Sequence, residues 1–313
     1  MSLQNAPLAA PIDAPPARAE TFPLMSEHSP DVVTTISSST RARLLQSLRD
    51  LVEYRELFFA FVARDLKVRY KQTALGVAWV ILQPLVTGVI FSAVFSAVAA
   101  SKSGGWSTFI FFLAGLVPWT SFQNGVQLAS VSMETNANLV SKVYFPRMVI
   151  PGGHMLASTV DFLIGFVVLA IAAAIAGAPV GMLLMLMPPL LVMQLVAGCG
   201  LSLFLAALNA QYRDVKYAVP FLLQTAMFVT VLVPLSQWRD RQLPFGGEIL
   251  HGALYQILSL NPMAAVIESY RAALLGQPLD MTLLVKGVIV SMLLLAGGIR
   301  FFASREKRLV DIL

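Results

Sequence analysis

Charge, cysteine and histidine are all scarce in this chain of 313 residues. Only 12% of the residues are charged, against 57% that are hydrophobic. A soluble domain of this size carries about twice that share of charge. The single cysteine, Cys199, sits inside an apolar run, which excludes a disulfide framework and a Cys-based metal site. His28, His154 and His251 have no metal-ligand spacing, so no metal site is expected. No GxxxxGK[ST] loop occurs, so the chain has no means of its own to cradle and hydrolyse ATP, and no GxSxG or Cys-His pattern suggests a catalytic nucleophile. No catalytic, cofactor or metal residue is expected.

What is present is long apolar sequence. Mean hydropathy is +0.73, and no charged residue lies between positions 72 and 101. About 20 apolar residues cross a bilayer, so this is a polytopic membrane protein of all-α class. Charges, prolines and glycine clusters divide the apolar sequence into six expected spans: 75–100, 108–131, 148–176, 182–208, 217–236 and 282–303. The third and fourth share one run, split at Gly177-Ala178-Pro179-Val180-Gly181. In the sixth, Lys286 and Arg300 are expected to snorkel to opposite interfaces. Residues 1–44 lack a signal-peptide core, are rich in Pro, Ala, Ser and Thr, and read as a disordered cytoplasmic tail. This topology puts seventeen of the 22 Lys and Arg on one side and five on the other, which orients both termini to the cytoplasm. The net charge of +5 is thereby a topology signal and calls for no nucleic acid.

Ahead of the first span, Arg64, Lys67 and Lys71 share one side of a helix, while Leu57, Phe58, Phe61, Val62, Leu66 and Val68 spread over a broad opposite face. Asp65 and Arg69 stand at i,i+4 in the favourable order and are expected to pair with each other. Such a helix lies in the headgroup plane, its basic side towards anionic lipid or a cytoplasmic partner; a plain positive-inside anchor would carry the same charges. Pro84 falls inside the first span and should kink it, as suits a span lining a cavity. Asp161 lies seven positions past His154, on the same helical face near the cytoplasmic end. It either pairs with Arg147 or the surface helix, or serves proton coupling.

Several segments then match a known family in its order: RDLKVRYKQTALGVAW with LQPL (64–79 and 82–85), NANLVSKVYFPR (136–147), VDF (160–162), LNAQYRDVKY (208–217), NPMAAVIESYRAALLG (261–276), and a tail with Glu306 and Asp311. The chain resembles the membrane subunit of ABC transporters that export polysaccharide, the class of O-antigen, capsule and teichoic-acid exporters, over residues 45–313. The resemblance implies a permease that pairs with itself and with two copies of a separate ATPase, which would hold ATP and Mg. Its cargo would be a lipid-linked glycan moved outward across a bacterial inner membrane. It also implies that 136–147 forms a short helix docking into the ATPase. There Leu139, Val143, Tyr144 and Phe145 would form an apolar plug and Lys142 and Arg147 its rim, with Asn138 a further coupling residue and Pro146 ending the helix. Arg213 and Asp214 resemble a second cytoplasmic motif. Arg64, Lys67, Arg69, Tyr70 and Lys71 would sit at the glycolipid entrance.

The resemblance implies that the first and fifth spans face the channel, and sugars stack on aromatic rings, so Trp79, Phe91, Phe95, Phe221 and Phe228, with Gln83 and Pro84 beside them, are candidates to line it. Trp79, Trp106 and Trp119 also fit an interfacial belt. Glu268 and Arg271, in a segment the family folds into short helices re-entering from outside, would have to pair if buried. The sequence departs from the family at TVLVPLSQW (230–238), where Val231 stands in place of an expected proline and Pro234 is displaced. Two other classes fit the architecture: a drug or small-lipid exporter permease, and a polytopic glycan-processing enzyme.

Overall fold

The computed structural model describes residues 54–71, 76–99, 105–142, 145–235 and 248–312. The expected tail, the side chains of Trp106 and Lys142, and Val143 and Tyr144 lie outside the described residues. Among the described residues the chain is helical, with no strand.

Its helices are α1 (Arg55–Lys71), α2 (Ala78–Ala99), α3 (Gly105–Thr135), α4 (Ala137–Lys142), α5 (Val149–Ile175) and α6 (Val180–Asn209), followed by α7 (Val215–Met227), α8 (Glu248–Ser259), α9 (Pro262–Leu275) and α10 (Met281–Ile312). Six stretches are long and apolar enough to cross a membrane: Ala78–Phe95, Thr108–Thr135, Val149–Ile175, Val180–Asn209, Val215–Leu232 and Met281–Glu306. With water absent from a bilayer core, helices are the form that lets such segments satisfy their own backbone.

The break between α5 and α6 falls where the glycines predict it. Gly177 takes φ 73°, a left-handed conformation that suits glycine, and Pro179 stands just ahead of α6. α3 is the central post: Leu113, Ala114, Leu116, Val117 and Trp119 are all at most 2% exposed. Trp119 is therefore core and not part of an interfacial belt, and its indole N–H donates to Gln123 Oε1 at 2.9 Å. α6 and α10 meet at Gly200 and Gly298, where a Cβ on either would strike the other helix's backbone. Small residues at such crossings let membrane helices approach within van der Waals range of their backbones.

α9 is delimited by local chemistry. Asn261 caps it by accepting from Met263 N–H at 3.0 Å, Pro262 occupies the first turn, and Gly276 closes it at φ 63°. The fifth span differs from expectation. It is α-helical only to Met227, passes through a π turn at Phe228–Leu232, and is extended at Val233.

Candidate functional site

Of the short helices outside the six spanning stretches, α1 and α9 are each fastened to the bundle by polar groups. α1 is held through its Asp65 to Tyr70 stretch. Arg69 Nη1 and Tyr70 OH both donate to the carboxylate of Asp161 on α5, one to each oxygen. Asp65 faces Nδ1 of His154, seven residues before Asp161, and the two form an ion pair when the imidazole carries its second proton. Asp65 and Arg69 thus do not pair along α1 as their spacing suggests. α5 offers each an opposite partner, and a half-buried charge gains more from a fixed partner across the interface than from a solvated neighbour. Asp161 takes the surface helix and not Arg147.

Burial pushes the Asp65 carboxyl up, but the hydrogen bond and charge of His154, joined by Arg64, more than offset it and hold Asp65 below the usual carboxylate range. Burial, then the bond to Asp161, push the Tyr70 hydroxyl above its ordinary value. Arg64 Nη2 donates to Asn136 Oδ1 at 3.0 Å, which ties α1 to the residue just before α4. Lys67 and Lys71 remain exposed.

The 136–147 segment divides in two. Asn138 is exposed on α4, and Leu139 rests partly buried against the apolar cluster that holds Phe61 and Phe145. Phe145 does not belong to an exposed plug: it is 5% exposed and packs 5.9 Å, ring to ring, from Phe61 of α1. An aromatic ring next to a ready-made apolar cluster is buried there in preference to water. Pro146 lies beyond the described end of α4, and Arg147 Nη1 donates to the Glu306 carbonyl at 3.0 Å. Arg213 and Asp214 are both exposed at the start of α7, and near them Glu134 takes Lys216 at 3.2 Å.

The channel candidates separate by face. Trp79, Gln83, Phe221 and Phe228 are exposed on the bundle surface. Phe91 and Phe95 turn instead to Phe112 of α3, at ring distances of 5.8 and 5.5 Å, and Pro84 is buried. Those three pack the bundle and do not line an open face, because α2 needs one side on which to dock. Alongside Phe221 and Phe228, the exposed Tyr217 and Gln224 continue the same α7 face, and Gln123 of α3 donates to Gln224 Oε1 at 3.4 Å.

At the other end, Arg271 is 2% exposed. Its Nη1 reaches Glu268 Oε1 at 2.9 Å, its Nη2 donates to the Val231 carbonyl at 2.5 Å, and its guanidinium lies 3.8 Å over the Phe111 ring. This satisfies an arginine that would otherwise be costly to bury.

The roles of His154 and Gln224 escape a reading of single motifs. Their signals are paired patterns: an acid and a base at i,i+4 on α1 opposite a base and an acid at i,i+7 on α5, and a glutamine at helical spacing between Phe221 and Phe228.

The profile of the ABC-2 type transporter family matches residues 56–275. The chain is 28% identical over 270 residues, 86% of its own length and 99% of the relative's, to the O-antigen export system permease protein RfbA of Myxococcus xanthus. It is 24% identical over 259 residues, 82% of its length and 95% of the relative's, to the protein of that name from Klebsiella pneumoniae. With six membrane-spanning helices and a family match over most of its length, this multi-pass membrane protein belongs to the ABC-2 type transporter family.

Proposed function

We propose that this chain is the membrane-spanning subunit of an ATP-driven exporter that moves a lipid-linked, O-antigen-like polysaccharide from the cytoplasmic leaflet outward across a bacterial inner membrane. The observation that carries the reading is the end-to-end likeness to permeases named for O-antigen export. Two copies of the chain enclose the path, and two copies of an ABC ATPase, holding ATP and Mg, drive it. The exposed faces of α2 and α7 support this, since they pair aromatic rings with amides at Trp79, Gln83, Phe221, Gln224 and Phe228. Rings stack on the apolar faces of sugars and amides bond their hydroxyls, a combination that tolerates sliding.

Both termini face the cytoplasm, and α1 lies at the headgroup level with Lys67 and Lys71 towards the lipid phosphate. The 136–147 segment, with Arg213 and Asp214, meets the ATPase. ATP-driven closure of the ATPase pair pushes on that segment, which tilts α3 and α5 and carries α1 with them through Asn136 and Asp161.

Deletion of the gene followed by fractionation tests the reading. The expected result is lipid-linked polymer accumulating inside the cell and reappearing at the surface on complementation. Unchanged surface glycan together with lost efflux of a small amphiphile would assign the drug or small-lipid class instead. Glycan turnover by the purified chain without an ATPase would assign an enzyme.

A further inference from the structure

The exposed residues Tyr217, Phe221, Gln224 and Phe228 of α7 are spaced i, i+4, i+7 and i+11, a single stripe along a regular helix. Continued at 3.6 residues per turn, that stripe would run on through Val231 and Leu235. Instead Val231 is 0% exposed and Leu235 is 7% exposed. The helix leaves α geometry in the π turn at Phe228–Leu232, which includes Val231, and the chain is extended at Val233 ahead of Pro234, so both side chains come off the stripe and are buried. The stripe ends at Phe228.

Pro234, which has no N–H and biases Val233 towards extended backbone, opens the ladder here, and one hydrogen bond shows what holds it open. In an α-helix Leu235 N–H would donate to the Val231 carbonyl. Here the two halves of that bond are parted, and each is taken by one member of an ion pair on α9. Val231 O accepts from Arg271 Nη2 at 2.5 Å, while Leu235 N donates to Glu268 Oε1 at 3.3 Å. A second tie runs from Asn261 Nδ2 to Thr230 Oγ1 at 3.0 Å. Gly115 of α3 leaves the room required: a Cβ there would come within 2.9 Å of both Arg271 Nη2 and Val231 Cγ1.

We propose that Glu268 and Arg271 are positioning residues that act as a removable wedge in the hydrogen-bond ladder of α7. With the wedge in place the aromatic stripe is cut off at Phe228. When the ion pair lets go of the two groups, Leu235 N–H and the Val231 carbonyl bond to each other, and α7 gains a further turn kinked at Pro234, as α2 is built around Pro84 and α6 around Pro188 and Pro189. Leu235 then rotates onto the stripe, extending it outward. The freed donor and acceptor then serve each other, while Arg271 and Glu268 keep one another as partners. This rests on the reading of the α7 stripe as the transport path, and it sets where that path ends.

Labelling of single cysteines by a water-soluble maleimide tests it, in membranes holding the chain with its ATPase and with Cys199→Ala as background. Probes are Phe221→Cys, on the stripe, and Leu235→Cys, beyond the wedge. With Glu268 and Arg271 intact, position 221 should label and position 235 should not. In the Glu268→Gln/Arg271→Met background, labelling at 235 should rise roughly tenfold or more, the shift expected when a charge-assisted bond holding one of two registers is lost. Trapping the complex with ATP and vanadate should raise it in the intact chain.

No change at 235 while 221 labels overturns the wedge and leaves the path reading standing. No labelling at 221 overturns the path and the wedge with it. Should the double variant unfold, seen as labelling of a core Met155→Cys probe, Gly115→Ala decides. It crowds Arg271 and Val231 without altering a charge, and a probe at 235 as protected as in the parent would overturn the proposal.

Discussion

Two of the helices outside the spans, α1 and α9, are gripped by opposite means. α1 is fixed to α5 and to Asn136 by side chain to side chain bonds, through Asp161, His154 and Arg64. α9 is fixed to α7 largely by side chain to backbone bonds, at Val231 O and Leu235 N. The difference follows from the partner helix. α5 is regular where α1 docks, so its peptide groups are consumed by its own ladder and only side chains remain to be held. α7 leaves regular geometry at Phe228, so its peptide groups become available. A side-chain grip is exchangeable and can slip as a unit, whereas a backbone grip is bound to the conformation of the helix it holds.

The largest effect is expected at Asp161. Its replacement by Ala leaves the Arg69 guanidinium half-buried without its carboxylate and should cost about 3 kcal/mol or more. Thermal unfolding of the purified complex measures it, and a loss no larger than that of an exposed Lys67→Ala control would mean that α1 is held by its apolar face alone.

Exchange of partners sharpens the contrast. Arg69→Asp with Asp161→Arg should recover part of the stability lost by either alone, on the order of 1 kcal/mol, because the pair meets side chain to side chain. Glu268→Arg with Arg271→Glu should recover none, since Val231 O needs a donor and Leu235 N an acceptor where the exchange supplies the reverse. Equal recovery at both ends would erase the distinction.

Asn261→Ala removes the α9 cap and the tie to Thr230 together, and an expected loss of about 1 kcal/mol follows from the cap alone. If export falls more than stability does, measured on the same preparations, the tie to the π turn matters beyond folding.

These contrasts mark what the sequence makes legible. The six spans are visible because apolar length and charge punctuation are local properties. Phe145 reads in the sequence as part of a docking plug, and its burial against Phe61 is not legible there because it depends on α1, which lies some 80 residues away. Asp65 and Arg69 look like a pair on their own helix, and only the approach of His154 and Asp161 reassigns them. Val231 is conspicuous in the sequence as a missing proline. That the bend is kept by a π turn with Arg271 as its partner requires knowing that α9 folds back on α7.

The smallest effect belongs to Asp65, and pH gives its sign. The groups facing it are Arg64 on its own helix and His154 on α5, and together they hold its carboxyl below the usual range. A carboxyl depressed on folding contributes stability that is complete above its unfolded value, near 3.8, and is lost as pH falls through its folded value. Asp65→Asn should therefore lower stability by about 1 kcal/mol or less at neutral pH, and the gap from the parent should close as pH falls below ~4, where the carboxyl takes up its proton. Unfolding midpoints of parent and variant across that range measure it. A gap that stays level well below pH ~4 would mean that the charge of Asp65 adds nothing to the grip, and that Arg69 with Asp161 carries it alone.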